Sequence, residues 1–210
     1  MILLRIAGLF FLGAFLAYGF GNGMIDSVLK TNEPVLILNG KDNIILGSIL
    51  IFINSIFVWG IGIIFFPILK KFQDNLAIAY ITSRIIEGIF LIIGMAFLFL
   101  IVFISETVVA SSDIASFKIL FLICKKVNFI FYQFAMISLG IGSLALCFIL
   151  YQYNLISKII SILGIIGYTS LAIGGLLELT GMPLGIIFSI PGGIFELIFG
   201  ILLLWKGIKE

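Results

Sequence analysis

Long apolar stretches separated by short polar ones set the pattern of this chain. Runs at 2–20, 44–69, 76–104, 127–152, 156–178 and 184–205 each reach or approach the roughly 20 residues that an α-helix needs to cross a bilayer. They predict an all-α membrane fold, a six-helix transmembrane bundle built as a single polytopic domain over residues 1–210. The polar intervals differ in kind. Gly21 to Asn43 holds Asn-Gly twice, Glu33-Pro34 and several charges, which predicts a turn-rich extramembrane loop. Its apolar run Pro34–Leu38 is too short to span. Glu106 to Lys126 carries Ile119–Cys124 followed by Lys125-Lys126, the pattern of a short interfacial helix or of an early extension of the next span. Lys70–Asn75, Tyr153–Leu155 and Leu179–Pro183 are tight connections.

The first apolar run follows Met1–Arg5 and has small residues at Ala17 and Gly19, so it also resembles a secretory signal peptide. Only one basic residue precedes it and the small pair makes a mediocre cleavage site, so a retained helix is expected.

Composition strengthens the membrane reading. Hydrophobic residues make up 62% of the chain and charged residues 10%, and mean hydropathy is +1.35. One soluble core of this length could not hide so much Ile, Leu and Phe. The net charge of +2, with no basic block, gives no basis for a nucleic-acid partner; the lipid bilayer is the expected one, and the cell membrane the expected location. Cys124 and Cys147 have no CxxC spacing and read as buried thiols. Histidine is absent, which removes the commonest metal ligand and proton shuttle; neither a metal nor a cofactor is expected.

An even number of spans puts both termini on one side. With them in the cytoplasm, that side carries Arg5, Lys70, Lys71, Lys158, Lys206 and Lys209, and the other Lys30, Lys41, Lys118, Lys125 and Lys126. This slight excess is the positive-inside bias, and Lys70-Lys71 beside a helix end supports it.

Three charges interrupt the hydrocarbon pattern. Arg84 and Glu87 lie within 76–104, and Glu196 lies within 184–205. A charge at mid-membrane costs a few kcal/mol by insertion scales, so these are expected to pair, to line a wet cavity, or both. At about 1.5 Å per residue, Arg84 and Glu87 fall about 12 and 16 Å from the start of their helix, and Glu196 about 14 Å from the end of its own. All three therefore share one layer, and Arg84 and Glu87 share a helix face. Asn54, Tyr80, Gln133 and Tyr168 are expected to support the layer, with Ser55, Thr169 and Ser170 at similar depth. Glu178 closes its helix and is expected at a solvated end.

At an effective dielectric near 20, a unit pair about 4 Å apart gains about 4 kcal/mol, enough to hold one Arg–Glu pair ionised. The second carboxylate, desolvated beside the first, is the one expected to carry a proton or a cation near neutral pH. The alternative is that Arg84 only fixes the packing of its helix against the last one.

The last run contains Ser189-Ile190-Pro191-Gly192-Gly193. Proline removes a backbone donor and paired glycines weaken a helix, so Pro191, Gly192 and Gly193 predict a kinked or broken last helix. Broken helices beside buried carboxylates form ion and substrate sites in transporters; a kink for close packing is the plainer outcome. Gly140-x-Gly142 accompanies no phosphate-binding loop. Ile85-Ile86-Glu87 is echoed by Ile194-Phe195-Glu196, in the third helix of each half, as an inverted repeat would place them.

The stretches AYITSRIIEGIFLIIG at 79–94 and FYQFAMISLGIGSLALC through SIPGGIFELIFGILLLWKG within 131–209 carry a resemblance. Their Arg-x-x-Glu (Arg84, Glu87), Tyr-Gln (Tyr132, Gln133) and Ile-Pro-Gly-Gly-x-x-Glu (Ile190 to Glu196) resemble the bacterial and archaeal membrane proteins grouped as domain-of-unknown-function family 4386. The resemblance implies a small multi-helix integral membrane protein and no particular activity.

Enzyme chemistry has little to work with. Ser–His and HExxH sites need histidine. Aspartyl intramembrane proteolysis needs two mid-membrane aspartates, and Asp26, Asp42, Asp74 and Asp113 fall in loops or at helix ends. A glutamate-only acid/base reaction on lipid is the one form left, and one helix would have to tune acid and base apart. No enzyme is therefore expected. The pattern predicts a non-catalytic membrane module, such as a sensor, immunity factor or assembly partner; the alternative is a small transporter or ion- or proton-coupled carrier using its mid-membrane carboxylates.

Overall fold

In hydrocarbon every backbone N–H and C=O must find its partner within the protein, which a helix achieves without any neighbour. The computed structural model, which describes residues 2–111 and 114–208, is accordingly helical, with no strand among the described residues. Its elements are α1 (Ile2–Leu29), α2 (Pro34–Asn39), α3 (Lys41–Lys70), α4 (Asp74–Ser111), α5 (Ile114–Gln152), α6 (Lys158–Leu179) and α7 (Gly185–Trp205). Six of them, all but α2, are long and apolar enough to cross a membrane, and the protein is a multi-pass integral membrane protein. Met1, Asp113 and Lys209 lie outside the described residues.

The spans form a closed ring. Each packs on its chain neighbours, α1 on α3, α3 on α4, α4 on α5, α5 on α6 and α6 on α7, and α7 closes back on α1. Neighbours run antiparallel. One face, here the near face, bears the start of α1, the α3–α4 and α5–α6 connections and the end of α7. The far face bears α2, which packs mainly on α4, and the α6–α7 connection.

Several helices outrun their apolar stretches. Gly21 to Asn43 is mostly helical, not a loop: α1 continues to Leu29, and α2 and α3 meet at Gly40. Asn22 is no turn residue; its amide donates to Asp26 Oδ2 at 2.8 Å, an i,i+4 pair that favours the helix. On the other side of the ring α4 runs to Ser111 and α5 starts at Ile114, so Glu106–Lys126 extends two spanning helices and forms no separate interfacial one. Packing explains the extensions. Ile25, Val28, Ile37, Ile44, Val102 and Phe117 form a far-face core that rewards helix beyond the hydrocarbon. Lys125 Nζ donates to the Leu29 carbonyl at 3.0 Å, satisfying one of the carbonyls a helix end leaves free.

The last helix is not broken. It continues from Gly185 to Trp205 with Pro191 inside. Proline withdraws a single donor, while any wider interruption would strand more backbone groups in an apolar setting. What the small residues provide is contact: a Cβ on Gly167 of α6 would lie 2.7 Å from the Gly192 backbone nitrogen and 2.8 Å from the Pro191 carbonyl carbon. The backbones of α6 and α7 touch there. Gly140 likewise faces the Tyr168 carbonyl of α6, while Gly142 faces Ser83 of α4, which gives that Gly-x-Gly a packing role on two sides of α5.

Candidate functional site

Helical spacing puts Tyr80, Arg84 and Glu87 on one face of α4, and the ring turns that face inward. Arg84 is 1% exposed, Glu87 3% and Tyr80 0%. Arg84 Nη1 donates to Glu87 Oε2 at 3.0 Å, and its Nε donates to Tyr80 Oη at 3.3 Å. The guanidinium carbon sits 5.3 Å from the Tyr80 ring centroid and 5.7 Å from that of Phe11 on α1, within the range of a cation–π contact.

The second carboxylate arrives from α7. Glu196 Oε1 lies 3.9 Å from Arg84 Nη2, an ion pair without a hydrogen bond. The same oxygen accepts from Tyr168 Oη of α6 at 3.0 Å. Arg84 Nη2 itself is buried with no hydrogen-bond partner among the described residues. The two glutamates are thus held unequally. The Glu87 side chain is 4% exposed and directly bonded, while that of Glu196 is 21% exposed.

Each half of the chain gives one glutamate to this guanidinium, from the third spanning helix of that half. With all three groups ionised, the formal charge of the cluster is +1 from the arginine and −1 from each glutamate, leaving −1.

A cavity of about 280 Å³ opens on this cluster, lined by Arg84, Glu87, Glu196, Asn54, Tyr18 and Tyr132 among others. A second, of about 410 Å³, lies toward the far face between α1, α5, α6 and α7, with Asn22, Lys125, Asn128, Gln133 and Glu178 in its wall. Tyr18, Tyr132 and Met136 line both. The rings of Tyr18 and Tyr132 are stacked, with centroids 5.6 Å apart and planes 15° from parallel. Toward the near face the ring is filled instead. Phe11 packs edge-on to Phe65 and Phe199, and Phe195 stacks on Phe199; all four are at most 2% exposed.

The expected layer is met in part. Asn54, Tyr80 and Tyr168 adjoin the charges. Gln133 does not: it lines the outer cavity, because at about 1.5 Å per residue it lies about 28 Å from the near-face end of α5. Ser55 bonds back to the Ile51 carbonyl of its own helix, Ser170 bonds the Phe188 carbonyl of α7, and Thr169 points outward. Glu178 accepts the Gly185 N–H at 2.8 Å and so caps α7, where a negative group meets the positive helix end. Pro191, Gly192 and Gly193 contribute packing and no break. Asp26, Asp42 and Asp74 lie in α1, in the first turn of α3 and at the first residue of α4, away from the cluster. Sequence reasoning gave no role to Phe11, Tyr18 or Met136; their apolar setting makes them look like ordinary core residues.

Compared with known families, residues 6–207 match the profile described as Domain of unknown function (DUF4386), a span that takes in Gly21–Asn43 as well. No curated protein and no solved structure matches the chain.

Proposed function

The chain belongs to the DUF4386 family, and from that premise we propose that it is a non-catalytic membrane module whose Arg84–Glu87–Glu196 cluster handles a small solute or a proton, as a small carrier does. The single observation that carries this reading is Arg84 Nη2, buried without a hydrogen-bond partner among the described residues, beside a cavity that also reaches Glu196. A cluster that only clamps helices together gains most when every buried donor is satisfied, since an unmade bond costs about 1–3 kcal/mol. Arg84 Nε and Nη1 meet that standard, and Nη2, 3.9 Å from Glu196, does not. The sensor, immunity or assembly roles explain the Arg84–Glu87 pair but leave the cavity and the loosely held glutamate without a purpose.

The reading includes residence in the cell membrane with both termini in the cytoplasm, on the Lys and Arg distribution given above. It includes no enzyme activity, and the lipid bilayer as the partner. The far-face cavity then opens away from the cytoplasm.

The test is flux. Purified protein is reconstituted into vesicles loaded with a pH-sensitive dye, and a potassium gradient with valinomycin sets the potential. The expected result is protein-dependent proton movement that Glu196→Gln abolishes. Vesicles containing the parent protein that stay as tight as empty ones would sink the carrier reading and leave the clamp.

A further inference from the structure

We propose that the inner cavity is a binding site for a small organic ammonium that also carries a hydrogen-bond acceptor, reached from the far face past Tyr18 and Tyr132. The inference rests on the carrier reading and names the ligand class of the same centre.

Charge sets the sign. The cluster sums to −1 when ionised, and the group it presents to the cavity is the more accessible Glu196, not the guanidinium, whose side chain is only 2% exposed. An anion would meet two carboxylates before it reached Arg84. A cation meets Glu196 directly.

The walls suit an organic cation better than a bare metal ion. Phe11, Phe15, Tyr18 and Tyr132 line the cavity, and aromatic walls attract ammonium groups, quaternary ones included. The remaining lining is largely aliphatic, with Val58, Ile61, Leu91 and Leu139. Glu87, Glu196, Asn54 and the two tyrosine hydroxyls also bring oxygens to this wall, the ligands a small hard ion requires, so sodium is the competing occupant that the test below must reject.

Arg84 Nη2 supplies the second recognition element. It is a buried donor with no hydrogen-bond partner among the described residues, closed off from the cavity while Glu196 sits 3.9 Å away; a ligand that draws Glu196 onto its ammonium uncovers Nη2 for an acceptor oxygen of its own. A volume of about 280 Å³ matches the lower end of small-molecule pockets, roughly 300 Å³.

The route follows from shared walls. Tyr18, Tyr132 and Met136 stand at the junction of the inner cavity and the outer one, lining both, and the near face is filled by Phe11, Phe65, Phe195 and Phe199. Passage from the far face needs the two stacked tyrosines to part; passage from the near face needs a packed aromatic core to open.

Choline chloride is the probe, because it joins a quaternary ammonium to a hydroxyl oxygen. Its binding to the full-length protein in detergent is followed by titration calorimetry, beside tetramethylammonium chloride, sodium chloride and sodium acetate. Saturable choline binding is expected, weaker by about tenfold for tetramethylammonium, which lacks the acceptor for Arg84, a loss typical of one hydrogen bond. No binding is expected for sodium or acetate. Glu196→Gln should weaken choline at least tenfold, and Tyr18→Leu, which removes a ring and keeps the charges, should weaken it severalfold. Size-exclusion profiles and helicity confirm that each variant is folded.

Absence of saturable choline binding, equal affinity in the parent and Glu196→Gln, or preferential binding of acetate overturns the site. Proton flux without choline binding overturns this inference alone. Choline binding with neither proton flux nor uptake of labelled choline into the vesicles upholds the site and overturns the carrier reading.

Discussion

Replacing each glutamate by glutamine in turn should give unequal losses of stability, because Arg84 holds the two differently. At an effective dielectric near 20, the attraction across the 3.0 Å Arg84–Glu87 contact is about 5 kcal/mol, and across the 3.9 Å contact to Glu196 about 4 kcal/mol. The first pair adds a charge-assisted hydrogen bond worth about 1.5–3 kcal/mol, and the second adds none to the guanidinium. Desolvation then separates them further. Glu87→Gln removes the directly bonded carboxylate and leaves the guanidinium paired in charge only across 3.9 Å to Glu196, with its hydrogen bonds to Tyr80 and to the new amide oxygen, a loss of about 2–3 kcal/mol from the weakened charge-assisted bond. Glu196→Gln leaves one buried cation with one buried anion and removes the excess negative charge, and glutamine can still accept the Tyr168 hydroxyl. Its effect should stay within about 1 kcal/mol in either direction, as expected when a nearly neutral polar network remains satisfied. Reversible unfolding in mixed micelles with increasing SDS, read by far-ultraviolet circular dichroism, measures both. A loss for Glu196→Gln that equals or exceeds the loss for Glu87→Gln would refute the unequal sharing.

Three further outcomes follow from the packing. Gly167→Ala drives a methyl into the Pro191–Gly192 backbone and should destabilise by about 1–3 kcal/mol, as overpacking does. In contrast Gly193→Ala, whose Cβ meets only a Phe15 ring carbon at 3.8 Å, should be neutral or better, and the same SDS titration checks both. Lys125→Met removes the bond to the Leu29 carbonyl and should cost about 1 kcal/mol, the usual size of a lost cap. Lys126→Met, whose Nζ only rests over the Phe129 ring at 4.7 Å, should cost less; hydrogen exchange at the end of α1 distinguishes the two. Tyr168→Phe takes the hydroxyl bonded to Glu196 and should lower vesicle proton flux while leaving helicity unchanged, whereas Tyr151→Phe, far from the cluster at the near-face end of α5, should leave flux as in the parent.

The six spans and the meeting of Arg84, Glu87 and Glu196 could be read from the chain because burial of charge in hydrocarbon is expensive enough to leave few arrangements. Depth counted from helix ends works for residues near those ends, as for Arg84, Glu196 and Tyr168. The same count puts Gln133, about 28 Å from the near-face end of α5, outside the layer that it was expected to support. Helix ends were harder for a different reason. An apolar-run criterion stops where polar residues begin, at Gly21 or Glu106, although α1, α4 and α5 continue outward on packing from Ile25, Val102 and Phe117. Of the two outcomes expected at Pro191, the break does not occur, since the helix runs through it; the close packing, in the touching backbones of Gly167 and Gly192, is tertiary, and no local propensity reports it. The Tyr18–Tyr132 stack joins α1 to α5, two helices that are not neighbours in the chain, and no spacing rule connects them.

The central claim is that one guanidinium is shared by carboxylates from distant parts of the chain. A double-mutant comparison tests it most directly, by measuring the unfolding cost of Arg84→Met in the parent and again in a Glu87→Gln, Glu196→Gln background. Shared charges predict a cost of about 3–5 kcal/mol in the parent, from two carboxylates left buried without a cation, falling to about 1 kcal/mol or less once both are neutral. Equal costs in the two backgrounds would mean that Arg84 stabilises the protein independently of both glutamates, and would contradict the account.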